Sequence, residues 1–402
     1  MGCGLRTPTG KLRGAGETLK LLDLTEFYSP KGGGVRTYLT AKAQWLQGQP
    51  DIDHVVVIPS DSDAVERWYD SIVYRVSGPS VPASPGYHFL IAPRKIRGIV
   101  ERERPDIVEV GSPYLAPWLA RYANRRVSAR LVGFFHMDLR GIVVHHVLRS
   151  APKAVSRGAG RVFGTYLRHV YGPYESTIAA SGAAERALRE IGVERVRLVP
   201  LGVDTELFTP SRRDPEWRAR AGVSDRQVVG LYVGRLATEK GLETILAALP
   251  RLHDATGLKM VFVGEGHLRE EFRRFARAHP DLLAVLPYAD DRGELARAYA
   301  SSDLYFAPFP HETFGLSAVE ALASGLPIVG VAAGGMLDLL QGADWSRTYG
   351  PGDPVALGKA AEELIERSLP SLGKRARAHA VATFGWDRTF EKMFDIYRKL
   401  CR

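Results

Sequence analysis

The chain has 402 residues, 45% hydrophobic and 25% charged, a length that favours two or more domains with cores of their own and a composition that argues against disorder. Its 54 Lys and Arg against 45 Asp and Glu give a formal charge of +9, which favours anionic partners such as nucleotides, phosphates or acidic lipids, although an Arg-rich solvated surface is the plainer reading. Two cysteines near opposite ends, Cys3 and Cys401, exclude a disulfide framework or zinc site and suit a reducing cytosol, and no apolar run reaches the length of a membrane span.

Residues 1–18 are basic and Gly-rich without an apolar core, so they read as a disordered leader and not a signal peptide. Leu19 to Leu24 reads as a first strand, followed by a loop ending in Gly32-Gly33-Gly34 and a helical pattern from Val35 to Leu46. A glycine loop between strand and helix could turn backbone amides toward an anion, or be merely flexible. Strands follow at His54–Pro59, Asp106–Val110 and Arg130–Phe135, with a helix from Pro117 to Arg125. The third of these runs into His136-Met137-Asp138, which places His136 at the carboxyl edge of a strand, where active sites of open α/β sheets gather; a lone His is more often structural.

The stretch from His145 to Tyr174, with Arg149, Lys153, Arg157, Arg161 and Arg168, reads as one or two basic helices able to face acidic lipid or an anionic acceptor. Strands at Ile178–Ser181 and Val196–Pro200 complete a first alternating series, and Pro200 to Pro215 reads as a linker.

A second series begins with the strand Val228–Val233. The loop after it, Gly234-Arg235-Leu236-Ala237-Thr238-Glu239-Lys240-Gly241, carries two cations that could clamp a diphosphate, and a helix from Gly241 to Leu252 follows. After the strand Met260–Val263, Gly264-Glu265-Gly266 begins like a dinucleotide fingerprint, but Arg269 stands where the third glycine belongs, which argues against nicotinamide. A basic helix from His267 to His279 and strands at Leu283–Leu286 and Leu304–Ala307 lead to Pro310-His311-Glu312-Thr313-Phe314-Gly315-Leu316. A helix starting near Gly315 would leave the amides of Phe314, Gly315 and Leu316 free for an anion, with Glu312 in the loop and Glu320 one to two turns in. The plainer reading is a helix N-terminus stabilised by nearby acids. A strand at Pro327–Gly330 and helices at 354–367 and 386–400 end the series.

These segments together resemble retaining glycosyltransferase family 4 (glycosyl transferases group 1) from about residue 20 to 400. The marks are Glu312…Glu320 spaced E-x7-E, Gly234-Arg235…Lys240-Gly241, Pro200-Leu201-Gly202-Val203-Asp204 and Phe384-Gly385-Trp386. The resemblance implies an α/β fold of the GT-B type. Two Rossmann-like domains would face each other across a deep cleft: 19–204 for the acceptor, 205–384 for the nucleotide-sugar, and a last helix, 385–402, returning to the first domain. It implies that Arg235 and Lys240 hold the donor diphosphate, bordered by Gly33, Gly34 and Gly234. Glu312 and the amides of Phe314, Gly315 and Leu316 would meet the donor sugar, Glu320 the ribose, and His136 the reaction centre. Gly264, Gly266 and Tyr288 would line the base pocket, although Ala289 replaces the glycine usual after the aromatic residue.

The expected activity is transfer of a hexosyl group from GDP-mannose, UDP-glucose or UDP-N-acetylglucosamine to a glycan, lipid-linked or small-molecule acceptor, with retention and without a metal or other cofactor. Asp51-Ile52-Asp53 and Asp61-Ser62-Asp63 have metal-like spacing but flank an early strand and read as solvated acids. His136, His145 and His146 do not converge as a metal site, because adjacent helical residues point apart. A cytoplasmic protein is expected, able to touch the inner membrane face peripherally. Nucleic acid is not expected, since only charge favours it. A sugar-nucleotide epimerase and an inactive sugar-nucleotide binder are the rival readings.

Overall fold

The computed structural model describes residues 18–402 except 31, 83–85, 143–150 and 290, and leaves the side chains of 142 and 153 undescribed. Residues 1–17 of the leader, with Cys3 among them, and Lys31, His145, His146 and Arg149 therefore lie outside the described residues.

Two open sheets account for the architecture. The first runs β3-β4-β2-β1-β5-β6-β7-β8, and every pair is parallel except β3 with β4. Its strands are β1 (Leu19–Leu24), β2 (Ile52–Ser60), β3 (Ala64–Trp68), β4 (Ser71–Ser77), β5 (Ile107–Val110), β6 (Arg130–Phe135), β7 (Ser176–Ala179) and β8 (Val196–Leu198). The second, wholly parallel, runs β11-β10-β9-β12-β13-β14. It comprises β9 (Val229–Val233), β10 (Lys259–Val263), β11 (Leu283–Leu286), β12 (Leu304–Ala307), β13 (Ile328–Val331) and β14 (Ser346–Tyr349).

In each sheet the order reverses beside its first strand: between β1 and β5, and between β9 and β12. At such a reversal the connecting helices leave on opposite faces, and a crevice opens at the carboxyl ends of the strands. The Gly32-Gly33-Gly34 loop follows β1, the Arg235/Lys240 loop follows β9, and the Glu312 loop follows β12. The β3–β4 hairpin was invisible as a pattern because β3 is an exposed edge strand, AVERW, without an apolar face.

Pleating sends Leu19, Leu21 and Asp23 of β1 to one face and Leu22 and Leu24 to the other. The Asp23 face is covered by the helix Gly34–Leu46 and by the last helix, Trp386–Cys401. The chain returns there through a hydrogen bond from the Val203 amide to the Phe384 carbonyl (2.7 Å), and Trp45 stacks on Phe394 at 5.5 Å. So the last helix crosses back to the first domain.

Under that helix lies a buried polar cluster. The Lys42 ammonium, fully buried, donates to both Asp23 oxygens (2.9 and 3.0 Å) and to Glu109 Oε2 (2.9 Å). His54 bridges Asp23 Oδ2 (2.8 Å) and Ser71 (2.7 Å). Tyr38 and Tyr397 donate their hydroxyls to Glu109. Burial alone would raise both carboxyl pKa values. Lys42 and His54 outweigh it for Asp23, which is held below the usual range. Glu109, desolvated and facing Asp23, is pushed up to about 7.

Beyond Pro210 the chain is already built into the second unit: Arg218, 1% exposed, donates to the Ser301, Ser224 and Gln227 carbonyls. Among the described residues, no helix is long and apolar enough to cross a membrane.

Candidate active site

The two crevices face each other. A Cβ placed on Gly32 would stand 2.9 Å from the Tyr288 ring, and one on Gly34 would stand 3.2 Å from Leu316 Cδ1. Gly34 and Leu316 each open a helix, so the first turns of Gly34–Leu46 and Leu316–Ala323 meet across the cleft. Their N-caps, Gly33 (φ 108°) and Gly315 (φ 97°), hold a left-handed or extended positive-φ backbone that other residues avoid. Neither first turn carries an acidic residue or a capping side chain. Two sets of unsatisfied amides, each at the positive end of a helix dipole, therefore point into one space.

Beside them lies the loop after β9. Lys240 Nζ sits 3.7 Å above the Phe309 ring, and Gly241 packs against the Pro308 carbonyl, so the Lys240 and Glu312 loops are in direct contact. Desolvation lowers the Lys240 pKa, and the nearby Glu312 carboxylate pulls it back up. Arg235 is exposed and pairs with Glu239 at 2.5 Å. The two cations thus differ: Lys240 is fixed in the cleft wall, while Arg235 must exchange a carboxylate for any phosphate.

Glycines at 234, 264 and 266 have a packing reason. A Cβ on Gly264 would fall 1.9 Å from the Gly234 carbonyl oxygen, and one on Gly266 (φ 152°) 2.2 Å from the Leu236 carbonyl oxygen. The loops after β9 and β10 cross backbone to backbone there, joined by the Leu236 amide donating to the Glu265 carbonyl (2.8 Å).

Glu312 is half-buried, and its loop is braced from behind: the Gly335 amide donates to the Glu312 carbonyl at 2.7 Å. A Cβ on Gly334 (φ 55°) would collide with the Pro310 and Glu312 carbonyls. Sequence reading missed this pair, although two glycines after a strand repeat the signal of the other loops. Phe314 is buried on Phe384, so its backbone, not its ring, is offered to the cleft.

From the first domain comes His136, stacked on Phe134 (4.0 Å between centroids, 2° between planes) and edge-on to Tyr38 (5.5 Å). Its carbonyl accepts from Thr313 Oγ1 across the cleft at 2.9 Å. Burial, seconded by the Lys42 charge, lowers its pKa to about 3, so the ring is neutral at pH 7. Glu320 is 6% exposed and already engaged: Arg292 Nη2 donates to Oε1 (2.8 Å) and the Tyr299 hydroxyl to Oε2 (3.1 Å). Arg292 has no counterpart in the sequence reading, for it lies outside every motif. Asp61 and Asp63 are exposed and bonded to Ser60, Ser62, Ser77 and Lys95. Among the described residues no group of three or more His, Cys, Asp or Glu is placed to share a metal ion.

Comparison with known proteins sets these features in context. Residues 227–367 match the model for glycosyl transferases group 1, and residues 32–207 match that for glycosyltransferase family 4. The GDP-mannose-dependent alpha-mannosyltransferase of Mycolicibacterium smegmatis is 32% identical over 288 residues, covering 70% of this chain and 71% of that one. The GDP-mannose-dependent alpha-(1-6)-phosphatidylinositol dimannoside mannosyltransferase of Mycobacterium tuberculosis is 27% identical over 381 residues, 93% and 95% of the two chains. Sucrose-phosphate synthase from Thermosynechococcus elongatus superimposes with a TM-score of 0.75 at 19% identity, over 95% of this chain and 99% of that one. The two-sheet architecture is the GT-B fold.

Proposed function

This chain belongs to the glycosyltransferases of group 1 and family 4, and on that premise we propose that it transfers a hexosyl group from a nucleotide-diphosphate sugar, with retention and without a metal ion. The observation that carries the reading is the meeting of two uncapped helix N-termini beside Lys240. A departing nucleoside diphosphate gains negative charge, and preorganised amide dipoles with a fixed cation stabilise that charge without having to reorganise. Glu312 takes hydroxyls of the donor sugar, Glu320 those of the ribose, and Arg235 joins Lys240 on the diphosphate once it releases Glu239. Tyr288 and the Gly264–Gly266 turn border the base.

No carboxylate stands apart as a nucleophile in this reading. The acceptor hydroxyl attacks the anomeric carbon from the side the diphosphate leaves, the bond from that carbon to the diphosphate oxygen breaks, and the proton passes to the departing phosphate. His136, neutral, lies against the sugar as a hydrogen-bonding wall and not as a cation. GDP-mannose is the favoured donor because relatives across the length of the chain carry that name. A thermal-shift panel tests the site: GDP-mannose should raise the melting temperature more than UDP-glucose or UDP-N-acetylglucosamine, EDTA should leave turnover unchanged, and Lys240→Ala should shrink the shift. An undiminished shift in that variant removes Lys240 from the diphosphate, and an inverted anomeric centre in the product, read by NMR, rules out same-face attack.

For the acceptor we infer a glycan, a small molecule or a lipid-linked sugar, the last met at an acidic membrane surface. From Gly111 to Tyr174 the chain has ten Arg and Lys and one acid, Asp138. Its helices Ala116–Asn124 and Lys153–Tyr171 meet where Trp118 stacks on His169 at 5.4 Å. They expose Trp118 (43%) and Val162 (68%) among these arginines, an apolar and cationic mixture suited to anionic headgroups. Vesicles containing acidic phospholipid should bind the protein in low salt and release it in high salt. Failure to bind them, or equal binding to neutral vesicles, would remove the membrane contact.

A further inference from the structure

Arg292 is the first residue of the helix Arg292–Ala300, which Asp291 caps through the Gly293 and Glu294 amides. Its side chain turns back into the cleft, where one guanidinium touches three parts of the molecule. Nη2 holds Glu320 Oε1 at 2.8 Å, Nη1 holds Thr37 Oγ1 at 3.1 Å, and Cζ lies 5.0 Å from the centroid of Phe208. Glu320 belongs to the second domain, Phe208 to the connection, and Thr37 to the first turn of the glycine-loop helix in the first domain. Other polar contacts among the described residues also span the cleft, such as Thr313 to the His136 carbonyl and Asp338 to Arg186 (2.7 Å) and the Ala183 amide, and these do not involve Glu320.

We propose that Arg292 is a positioning residue that couples ribose recognition to domain closure, an inference that rests on the reading of Glu320 as the ribose acceptor. A carboxylate can accept about four hydrogen bonds, and Glu320 uses two internally, which leaves capacity for a pair of vicinal hydroxyls. Arg292 and Tyr299 fix the plane of that carboxylate before the donor arrives. Thr37 in turn fixes Arg292, but only while the glycine-loop helix is drawn against the second domain. Opening the cleft breaks the Thr37 bond, frees the guanidinium and loosens Glu320; closing it aims Glu320 and brings the amides of Gly33 and Gly34 up to the diphosphate in the same movement. The planar fork of Arg is what lets one side chain serve both partners.

The test is a double-mutant cycle read by calorimetric binding of GDP and UDP to the full chain, with small-angle scattering of the free protein. Thr37→Val removes one hydroxyl with little change of shape and should weaken binding of the preferred nucleotide about three- to tenfold. Arg292→Gln should weaken it more, about tenfold or beyond, and the double variant should be no worse than Arg292→Gln alone, because the two act through one bond. Thr37→Val should also enlarge the radius of gyration of the free protein, while Arg186→Ala, which cuts a cleft-spanning ion pair away from Glu320, should leave nucleotide affinity within about twofold. Additive losses in the cycle, or a Thr37→Val protein with wild-type affinity and dimensions, would overturn the coupling. If Arg292→Gln does not fold, Thr37→Val alone decides. A wild-type protein that binds neither nucleotide would instead strike down the donor-site reading itself, and a wild type that binds while the variants match it strikes down only the coupling.

Discussion

Glu312→Ala is expected to lower turnover at least a hundredfold while leaving the nucleotide-induced thermal shift largely intact. The expectation follows from where the residue is held. Its loop leaves β12 at the sheet reversal, is braced by the Gly335 amide, and brings the carboxylate within the field of Lys240. In the proposed reaction that carboxylate orients the sugar while the diphosphate departs, so its contribution falls mainly in the transition state. Removing one preorganised electrostatic partner of that kind costs about 10²–10³ in kcat. Diphosphate binding should persist, since Lys240 and the two helix N-termini remain in place. Glu312→Gln separates the possible roles: partial activity would assign Glu312 to hydrogen bonding, and activity as low as in the alanine variant would assign it to charge. Full turnover in Glu312→Ala would remove the residue from the reaction.

The largest effect on stability is expected from Lys42→Met, distant from the donor pocket. Lys42 hydrogen-bonds both Asp23 and Glu109, and no part of its side chain is exposed. A methionine fills similar space but leaves two carboxyl groups facing each other in the core. Breaking a buried ion pair from one side costs about 3–5 kcal/mol, which for a domain of this size lowers the melting temperature by roughly 10 °C. The pH dependence has a definite sign. Burial and Asp23 push Glu109 up to about 7 in the folded protein, above an unfolded glutamate, so stability is lost as pH rises from the ordinary glutamate range to about 7 and levels off beyond it. Without Lys42 that loss grows, and the deficit of the variant should widen from pH 5 to pH 8. Denaturant titrations at the two pH values check it; a deficit that is small, or that narrows with rising pH, would show that the cluster is not held by charge.

Legibility in the sequence follows from how local each signal is. β1, β9 and β12 announce themselves as apolar runs ending in Gly or Pro loops, and because parallel strands put their loops on one edge, Gly33, Gly34, Lys240, Glu312 and Gly315 could be assembled without coordinates. The β3–β4 hairpin could not, since its edge strand has no buried face. Arg292 is legible only through its partners: it is 28 residues from Glu320 and 255 from Thr37, and its helix shows nothing unusual. The buried cluster is more hidden still. Asp23 and Glu109 each interrupt a short apolar run, Lys42 and His54 stand among ordinary polar neighbours such as Gln44 and Asp53, and Tyr397 reaches Glu109 across 288 positions. Spacing also cannot tell that Gly264 and Gly266 are small so that two backbones can cross, a reason separate from any nucleotide.

The path of the final helix bears on how the protein comes to be folded in the cell. Tyr397, Met393 and Phe390 are fully buried against strands and a helix made hundreds of residues earlier. The first half therefore leaves the ribosome with an apolar flank and two buried-type carboxylates open to water, and stays that way until residue 397 has cleared the exit tunnel. During synthesis it is an incomplete body until that helix has been made.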